Sequence, residues 1–242
     1  MTTVLVHGGG STARFWDRLV PLLDDAVLAV DLPGRGGHPA DLATITVADE
    51  VAAVVDDVQA MAPTGPVALV AHSSGGLVVP GVVAALVGRV EHVVLSAALV
   101  PPEGGRGVDC MQPRHREGLL AAFALVEAGA NPIILPRPSD PEHFRTTYGG
   151  DPLDDTTLAF VADPVRSVPD TVHHYFQPVH WSAAGDVRVT YLVNDRDRPI
   201  PTALQEEMVA RLPHAPRVEH LHCGHIPAVT DPELFAAILA AG

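Results

Sequence analysis

Apolar and polar positions follow two different periods along this chain. Six short runs are apolar almost throughout or alternate residue by residue: Val4–Val6, Val27–Val30, Val67–Val70, His92–Leu95, Val187–Val193 and Val218–Leu221. These predict strands. Between them, apolar residues recur at helical spacing over Phe15–Leu23, Val47–Met61, Ser74–Val87, Leu204–Leu212 and Pro232–Leu239, which predicts helices. Strand and helix in turn imply a mainly parallel sheet covered by helices on both faces, an α/β architecture. There is no internal repeat and no low-complexity linker. The alternation breaks off after Pro101, and up to about Ala184 the chain is rich in Pro, Gly and His, with short helical patterns at Glu117–Ala128 and Asp154–Val161. An insertion of that length between core strands is usually a lid or a set of binding loops. The expected division is a core of residues 1–100 and 185–242 with a cap of residues 101–184 over its rim.

The strand Val67–Val70 runs into Ala71-His72-Ser73-Ser74-Gly75-Gly76. A strand that ends in small-x-Ser-x-Gly and turns at once into a helix presents its serine on a sharp, strained corner, because bulk two residues before or after would strike the neighbouring strand and helix. Such a corner lifts the hydroxyl beside a helix N-terminus, whose N–H groups can stabilise an oxyanion. Alone, the pattern also fits a purely structural turn. Three further features give it weight. Val4–Val6 opens into His7-Gly8-Gly9-Gly10, a loop able to bring a second N–H donor to an oxyanion already met by the N–H of Ser74. Gly9 is the first choice for that donor and Gly10 the next, Gly10 also being expected at the substrate. A phosphate-binding loop would need a lysine, and all 15 basic residues of the chain are arginine.

Past the strand Val187–Val193 comes Asn194-Asp195-Arg196-Asp197-Arg198-Pro199, on the rim where α/β proteins place ligands. Either aspartate could orient a histidine. Asp197 is favoured because Pro199 and Pro201 stiffen the loop behind it, with Asp195 the alternative and a solvated turn the plainer reading. The third feature is Gly224-His225-Ile226-Pro227, beyond the last strand, where a general base is expected. His220 and His222 read as strand positions. A metal site from His222 and His225 lacks an accompanying acidic or cysteine cluster, so no metal and no cofactor is expected.

Ser73, Asp197 and His225 follow the order nucleophile, acid, base. With His7-Gly8, the segment Phe15-Trp16-Asp17, Asp31-Leu32-Pro33-Gly34-Arg35-Gly36-Gly37, Val94 to Pro101, Asp197 to Pro201 and Gly224 to Pro227, the chain resembles the α/β-hydrolase superfamily over nearly its full length. Within it, the chain looks most like the small esterase branch that also holds plant methylesterases and hydroxynitrile lyases. The resemblance implies the α/β-hydrolase fold, a Ser-His-Asp triad, and hydrolysis of a carboxylic ester or similar acyl bond of a small molecule through an acyl-enzyme. Dehalogenases and epoxide hydrolases of this fold carry aspartate at the elbow, unlike Ser73. Hydroxynitrile lyases of the branch rely on a lysine beside the histidine, where this chain has Ile226. A lactonase, a carbon–carbon bond hydrolase, an acyl transferase or a ligand-binding receptor on the same fold remain alternatives.

Composition narrows partners rather than chemistry. With 242 residues, 47% of them hydrophobic and 18% charged, the chain can bury one large globular core. A net charge of −14 argues against nucleic acid or an anionic membrane as partner. No apolar run nears the roughly 20 residues that span a bilayer, and Met1-Thr2-Thr3 enters the first strand without a basic leader, so cytoplasm is the expected location. The two cysteines give no disulfide framework. In the cap, Phe123, His173, His174, Tyr175, Phe176 and Trp181 are candidates for the substrate pocket, as are Phe15 and Trp16 after the glycine loop. For each, ordinary packing is the competing reading.

Overall fold

The computed structural model describes residues 1–134, 141–148, 150 and 153–241. The first part of the chain holds β1 (Thr2–Val6), β2 (Ala26–Val30), α1 (Val47–Met61), β3 (Val67–His72), α2 (Val79–Ala85) and β4 (Val90–Ser96). A long excursion follows, with β5 (Gly105–Arg106), α3 (Pro113–Glu127), β6 (Ile133–Ile134), α4 (Pro141–Thr147), α5 (Asp155–Ala162), β7 (Asp170–Thr171) and β8 (Pro178–Val179). The chain then resumes with β9 (Arg188–Asn194), α6 (Thr202–Val209), β10 (Arg217–Leu221), α7 (Pro227–Thr230) and α8 (Pro232–Ala241). No described helix is long and apolar enough to cross a membrane.

The long strands form one parallel sheet in the order β10-β9-β4-β3-β1-β2. Successive side chains of a strand face opposite sides, and here both sides are apolar because helices cover both. Val4, Val6, Leu69, Leu95, Tyr191 and Val193 pack on one face, with α1, α2 and α6. Leu5, Val70, Val94, Leu192 and Leu221 pack on the other, with Phe15, Trp16 and Phe235. β1 lies between β2 and β3, and β3 between β1 and β4, so the chain runs to one side from β1 and to the other from β3, and the crevice at the carboxyl ends of these two strands is where such sheets bind ligands.

All six predicted strands are present, displaced by a residue or two at their ends. The predicted helix Phe15–Leu23 is instead two 3-10 turns, Ala13–Trp16 and Val20–Leu22. The bonds Asp17 N–H to Arg14 O (3.2 Å) and Leu19 N–H to Trp16 O (2.8 Å) close on the third residue back, and Pro21 has no N–H to extend an α-helix. The predicted helix Ser74–Val87 is split for the same reason: a 3-10 turn covers Ser73–Leu77, and α2 begins only at Val79, with Pro80 in its first turn. His222 lies beyond the end of β10, outside the strand expected for it. α1 follows its pattern, started by a reciprocal cap in which Thr46 Oγ1 accepts from Asp49 N–H (3.1 Å) and Asp49 Oδ2 from Thr46 N–H (2.9 Å).

The turn after β3 is tight. A Cβ on Gly75 would stand 2.7 Å from His7 O, and one on Gly76 would stand 2.5 Å from Leu99 O and 2.9 Å from Leu99 N. Backbone on that side cannot give way cheaply, so Gly76→Ala is expected to cost about 3 kcal/mol, the upper range of overpacking. Urea unfolding of the two proteins measures it, and an unchanged midpoint would show that the turn yields.

Candidate active site

Four loops meet at the carboxyl edge of the sheet: Gly8–Gly10 after β1, Ser73 after β3, Asp197 after β9 and His225 after β10. Ser73 has φ 53°, and Ala97 (φ 42°) is the other non-glycine residue with positive φ among those described. Its carbonyl accepts from Leu99 N–H (2.8 Å), which ties the strained corner to the chain leaving β4. His225 Nε2 lies 3.2 Å from Ser73 Oγ, and His225 Nδ1 lies 2.6 Å from Asp197 Oδ2. With Nδ1–H donating to the carboxylate, neutral His225 presents a bare Nε2 that can accept the serine hydroxyl.

Asp197 is buried, its Oδ1 accepting from Ile200 N–H (2.8 Å). The loop around it is held by the buried amide of Gln205, which bonds Asn194 O (3.1 Å), Asn194 N–H (2.9 Å) and Ile200 O (2.7 Å). Asp195 is exposed and faces His220 Nδ1 at 2.9 Å instead. Of the two, Asp197 is the one in contact with His225.

Two more histidines shape the site. His7 is fully buried; Leu32 N–H donates to its Nε2 (3.2 Å) and its Nδ1–H donates to Gly8 O (2.8 Å). Burial first, then the Arg35 charge, lowers its pKa to about 3. His72 Nε2–H donates to the backbone carbonyl of His225 (2.8 Å), and its ring stacks on Phe15 (4.9 Å, 14°). Burial, followed by the nearby His225, holds its pKa well below the ordinary histidine value. The N–H groups of Gly9 and Gly10 have no acceptor among the described residues, and that of Ser74, in the first turn of its helical segment, has none within the turn.

These groups open onto a cavity of about 220 Å³. Phe15, Met111, Phe144, Tyr148, Phe160, Val161, Ile200 and Ile226 give it apolar walls, and Ser11, His115, Thr147, Arg166 and Ser167 are its polar members. The Tyr148 ring lies parallel to the His225 imidazole (6.0 Å, 2°). Arg166 does not offer a bare charge: it pairs with Asp17 (2.6 Å) and Asp163 (3.3 Å) and lies over the Phe160 ring (3.8 Å). Among the described residues no group of His, Cys, Asp and Glu is arranged to hold a metal ion.

Of the residues expected at the substrate, Gly10, Phe15 and Tyr175 line this cavity; Trp16, Phe123, His173, His174, Phe176 and Trp181 do not. Each of the main absentees is engaged elsewhere. Trp16 packs edge-on to Phe15 and against Phe235, and Phe123 stacks on Phe176 (4.0 Å, 13°). His174 faces Glu50 Oε1 at 3.1 Å. Trp181 is buried beside a separate hollow formed with Val187, Thr190 and Pro213. Sequence reasoning missed Phe144, Tyr148 and Phe160 as walls and His72 as a brace. The position of His72 beside Ser73 was the one available signal.

A parallel sheet with a strained serine after its central strand, an aspartate after β9 and a histidine after β10 is the frame of an α/β-hydrolase. The alpha/beta hydrolase family model matches residues 3–238, and the chain belongs to that family. It is 25% identical over 250 residues to the Arabidopsis thaliana chloroplastic protein that carries the name methylesterase 11, covering 98% of this chain and 62% of that one. To the protein named methylesterase 13 it is 26% identical, covering 98% of this chain and 54% of that one. It thus spans little more than half the length of these relatives. Among solved structures, an extracellular α/β-hydrolase from a Paenibacillus species, described as sharing structural and functional homology with tobacco salicylic acid binding protein 2, superposes with a TM-score of 0.84 at 20% identity, over 100% of this chain and 98% of that one. A pyrethroid hydrolase from Sphingobium faniae JZ-2 gives 0.79 at 20% identity, over 100% and 96%. Polyneuridine aldehyde esterase gives 0.74 at 19% identity, over 99% and 98%.

The His7 ring carries a stability prediction. The unfolded chain takes up a proton near pH 6.5 that the folded ring refuses until about pH 3, so its contribution is complete above about 6.5 and is lost as pH falls. By pH 5 the loss amounts to about 2 kcal/mol. Between pH 7 and 5 the native protein should therefore lose about 2 kcal/mol more than His7→Gln, measured by urea unfolding. Equal losses would reject it.

Proposed function

We propose that this protein is a serine hydrolase that cleaves a carboxylic ester of a small, uncharged organic molecule through an acyl-enzyme. The observation that carries the reading is the hydrogen-bonded row Ser73 Oγ, His225 Nε2 and Nδ1, Asp197 Oδ2, with the glycine loop beside it. Ser73 Oγ attacks the ester carbonyl while its proton passes to His225 Nε2. Asp197 holds the ring with Nε2 toward the serine and stabilises the imidazolium. The N–H groups of Gly9 and Ser74 receive the oxyanion, each worth about 3 kcal/mol in sites of this kind. His225 then protonates the departing alcohol, and water activated by the same ring releases the acid.

The walls support the substrate class. They are mainly apolar and aromatic, and among the described residues the one arginine on the cavity is taken up by two aspartates, so that guanidinium is not free to bind a carboxylate or phosphate. The methylesterase names of the relatives agree with an ester carrying a small alcohol. In this reading residues 101–184 supply the cap, which is supported by Met111, Phe144, Tyr148 and Phe160 lining the same cavity as Ser73.

A short-chain aryl ester should be turned over by the native protein and not by Ser73→Ala, and a fluorophosphonate should label Ser73 alone. Labelling elsewhere, or equal turnover by the variant, would overturn the reading. Asp197→Asn should fall by about 10⁴-fold in kcat, whereas Asp195→Asn should change by less than about tenfold. The reverse ranking in folded variants would move the orienting acid to Asp195.

A further inference from the structure

Beside the glycine loop lies a cluster of buried charge that the proposed reaction does not use. Asp170 Oδ1 accepts from the Arg35 guanidinium and from Thr171 N–H (2.9 Å), and its Oδ2 accepts from the Tyr175 hydroxyl (3.3 Å). Next to it, His174 Nδ1 faces Glu50 Oε1 at 3.1 Å, with Nε2 3.9 Å from Asp170 Oδ2. The side chains of Arg35, Asp170, Glu50 and His174 are all at most 5% exposed. Burying so much charge is costly, and such pairs are poor sources of net stability, so their place in the molecule calls for another reason.

Gly9 supplies it. A Cβ built there would collide with Asp170 Oδ2 and the Tyr175 hydroxyl and would stand 3.2 Å from Ser74 Oγ. The carboxylate and phenol therefore rest directly on Gly9, on the side that also faces the Ser74 hydroxyl. Two residues before Asp170, Val168 N–H donates to Gly10 O (3.0 Å). One short stretch thus fixes Gly9 by contact and Gly10 by a hydrogen bond. Three successive glycines have little stiffness of their own, so the loop must be held from outside. A carboxylate this close would also oppose an oxyanion, and the Arg35 guanidinium in contact with it supplies the cancelling charge.

We propose that Asp170 is a positioning residue: held by Arg35 and Tyr175, it fixes Gly9 so that its N–H meets the oxyanion, while Arg35 cancels the negative charge brought there. This rests on the esterase reading above. The test uses the full chain and the variants Asp170→Asn, Tyr175→Phe, Arg35→Gln and Arg35→Gln/Asp170→Asn. It measures kcat and KM on a p-nitrophenyl ester, Ki for a trifluoromethyl ketone of similar size, and amide hydrogen exchange at Gly8–Thr12. Asp170→Asn should lower kcat about 30- to 100-fold with KM within about threefold, weaken the ketone by a similar factor, and speed exchange in the loop. A purely structural role would lower the fraction of enzyme titrated by fluorophosphonate and leave the ratio of Ki to KM alone. Arg35→Gln should be the slowest single variant, and the double variant should recover about tenfold over it. Should Arg35→Gln fail to fold, Tyr175→Phe decides in its place, with kcat expected to drop about fivefold at unchanged KM. The proposal falls if folded Asp170→Asn keeps kcat and Ki within about threefold of the native protein, if the double variant is slower than Arg35→Gln, or if Tyr175→Phe is unchanged. Absence of ester turnover and of Ser73 labelling in the native protein would overturn the esterase reading instead. Loop exchange in Asp170→Asn would then decide the positioning role separately, and unchanged exchange would end it.

Discussion

The backbone of Ser73 is held in a left-handed conformation, φ 53°, that costs a residue with a side chain about 1–2 kcal/mol. Such a conformation persists only where the surroundings leave no alternative. Here β3 is flanked in register by β1 and β4 up to Ala71 and His72, so the chain arrives at the turn with no slack. Gly75 then passes against His7 O and Gly76 against the backbone of Leu99, while Leu99 N–H grips the Ser73 carbonyl from the far side (2.8 Å). The position of the hydroxyl is in this sense a consequence of sheet register. The glycine loop leaves the adjacent strand β1, and the aspartate and histidine loops leave β9 and β10 on the other side, so all four loops are referred to the same rigid edge.

Around that corner, two buried imidazoles serve different purposes that share one requirement, neutrality at rest. His7 bonds Gly8 O with one nitrogen and Leu32 N–H with the other, which a doubly protonated ring cannot do. His72 bonds the His225 carbonyl and sits 4.7 Å from the His225 ring. A charge on His72 would oppose the imidazolium that the proposed reaction forms on His225. Burial, and the proximity of His225 after it, keep His72 neutral, so the brace does not compete with the base proposed at His225.

Much of this was legible from pattern because the sheet is buried on both faces. Near-continuous apolar runs such as Val67–Val70 have few other interpretations, and small residues around Ser73 are required by close backbone contacts rather than by composition. The choice of Asp197 over Asp195 rested on the prolines behind it, and Asp197 is the one that meets His225. The physical reason is broader, since the Gln205 amide also fixes that loop, and nothing in the local sequence marks Gln205. The failures share a cause. Trp16, Phe123, Phe176 and Trp181 were singled out as aromatics near the rim, but an aromatic ring packs wherever apolar surface is available, and each found it within the protein. Phe144, Tyr148 and Phe160 line the cavity because of tertiary placement that no period along the inserted segment encodes. Asp170 looked like any acidic residue between strands, and its burial against Arg35 depends on a partner 135 positions away.

The inserted segment is bound to the carboxyl edge of the sheet at three of its four loops. Val168 N–H bonds Gly10 O (3.0 Å) at the glycine loop. Gln112 Nε2 donates to Arg198 O (2.7 Å) and Pro199 O (3.1 Å) at the aspartate loop. Tyr148 lies parallel to His225 at the histidine loop. A lid that merely opened and shut would need its contacts with the core to be few and exchangeable. Here Glu50, on the buried stripe of α1, meets His174 of the insert with both side chains 1% exposed, and neither can be parted from the other without stranding a buried polar group. The stretch that contains Val168, Asp170 and His174 therefore belongs mechanically to the core. The hold on α3 is looser: it has no buried residue, and His115, which lines the cavity, is exposed.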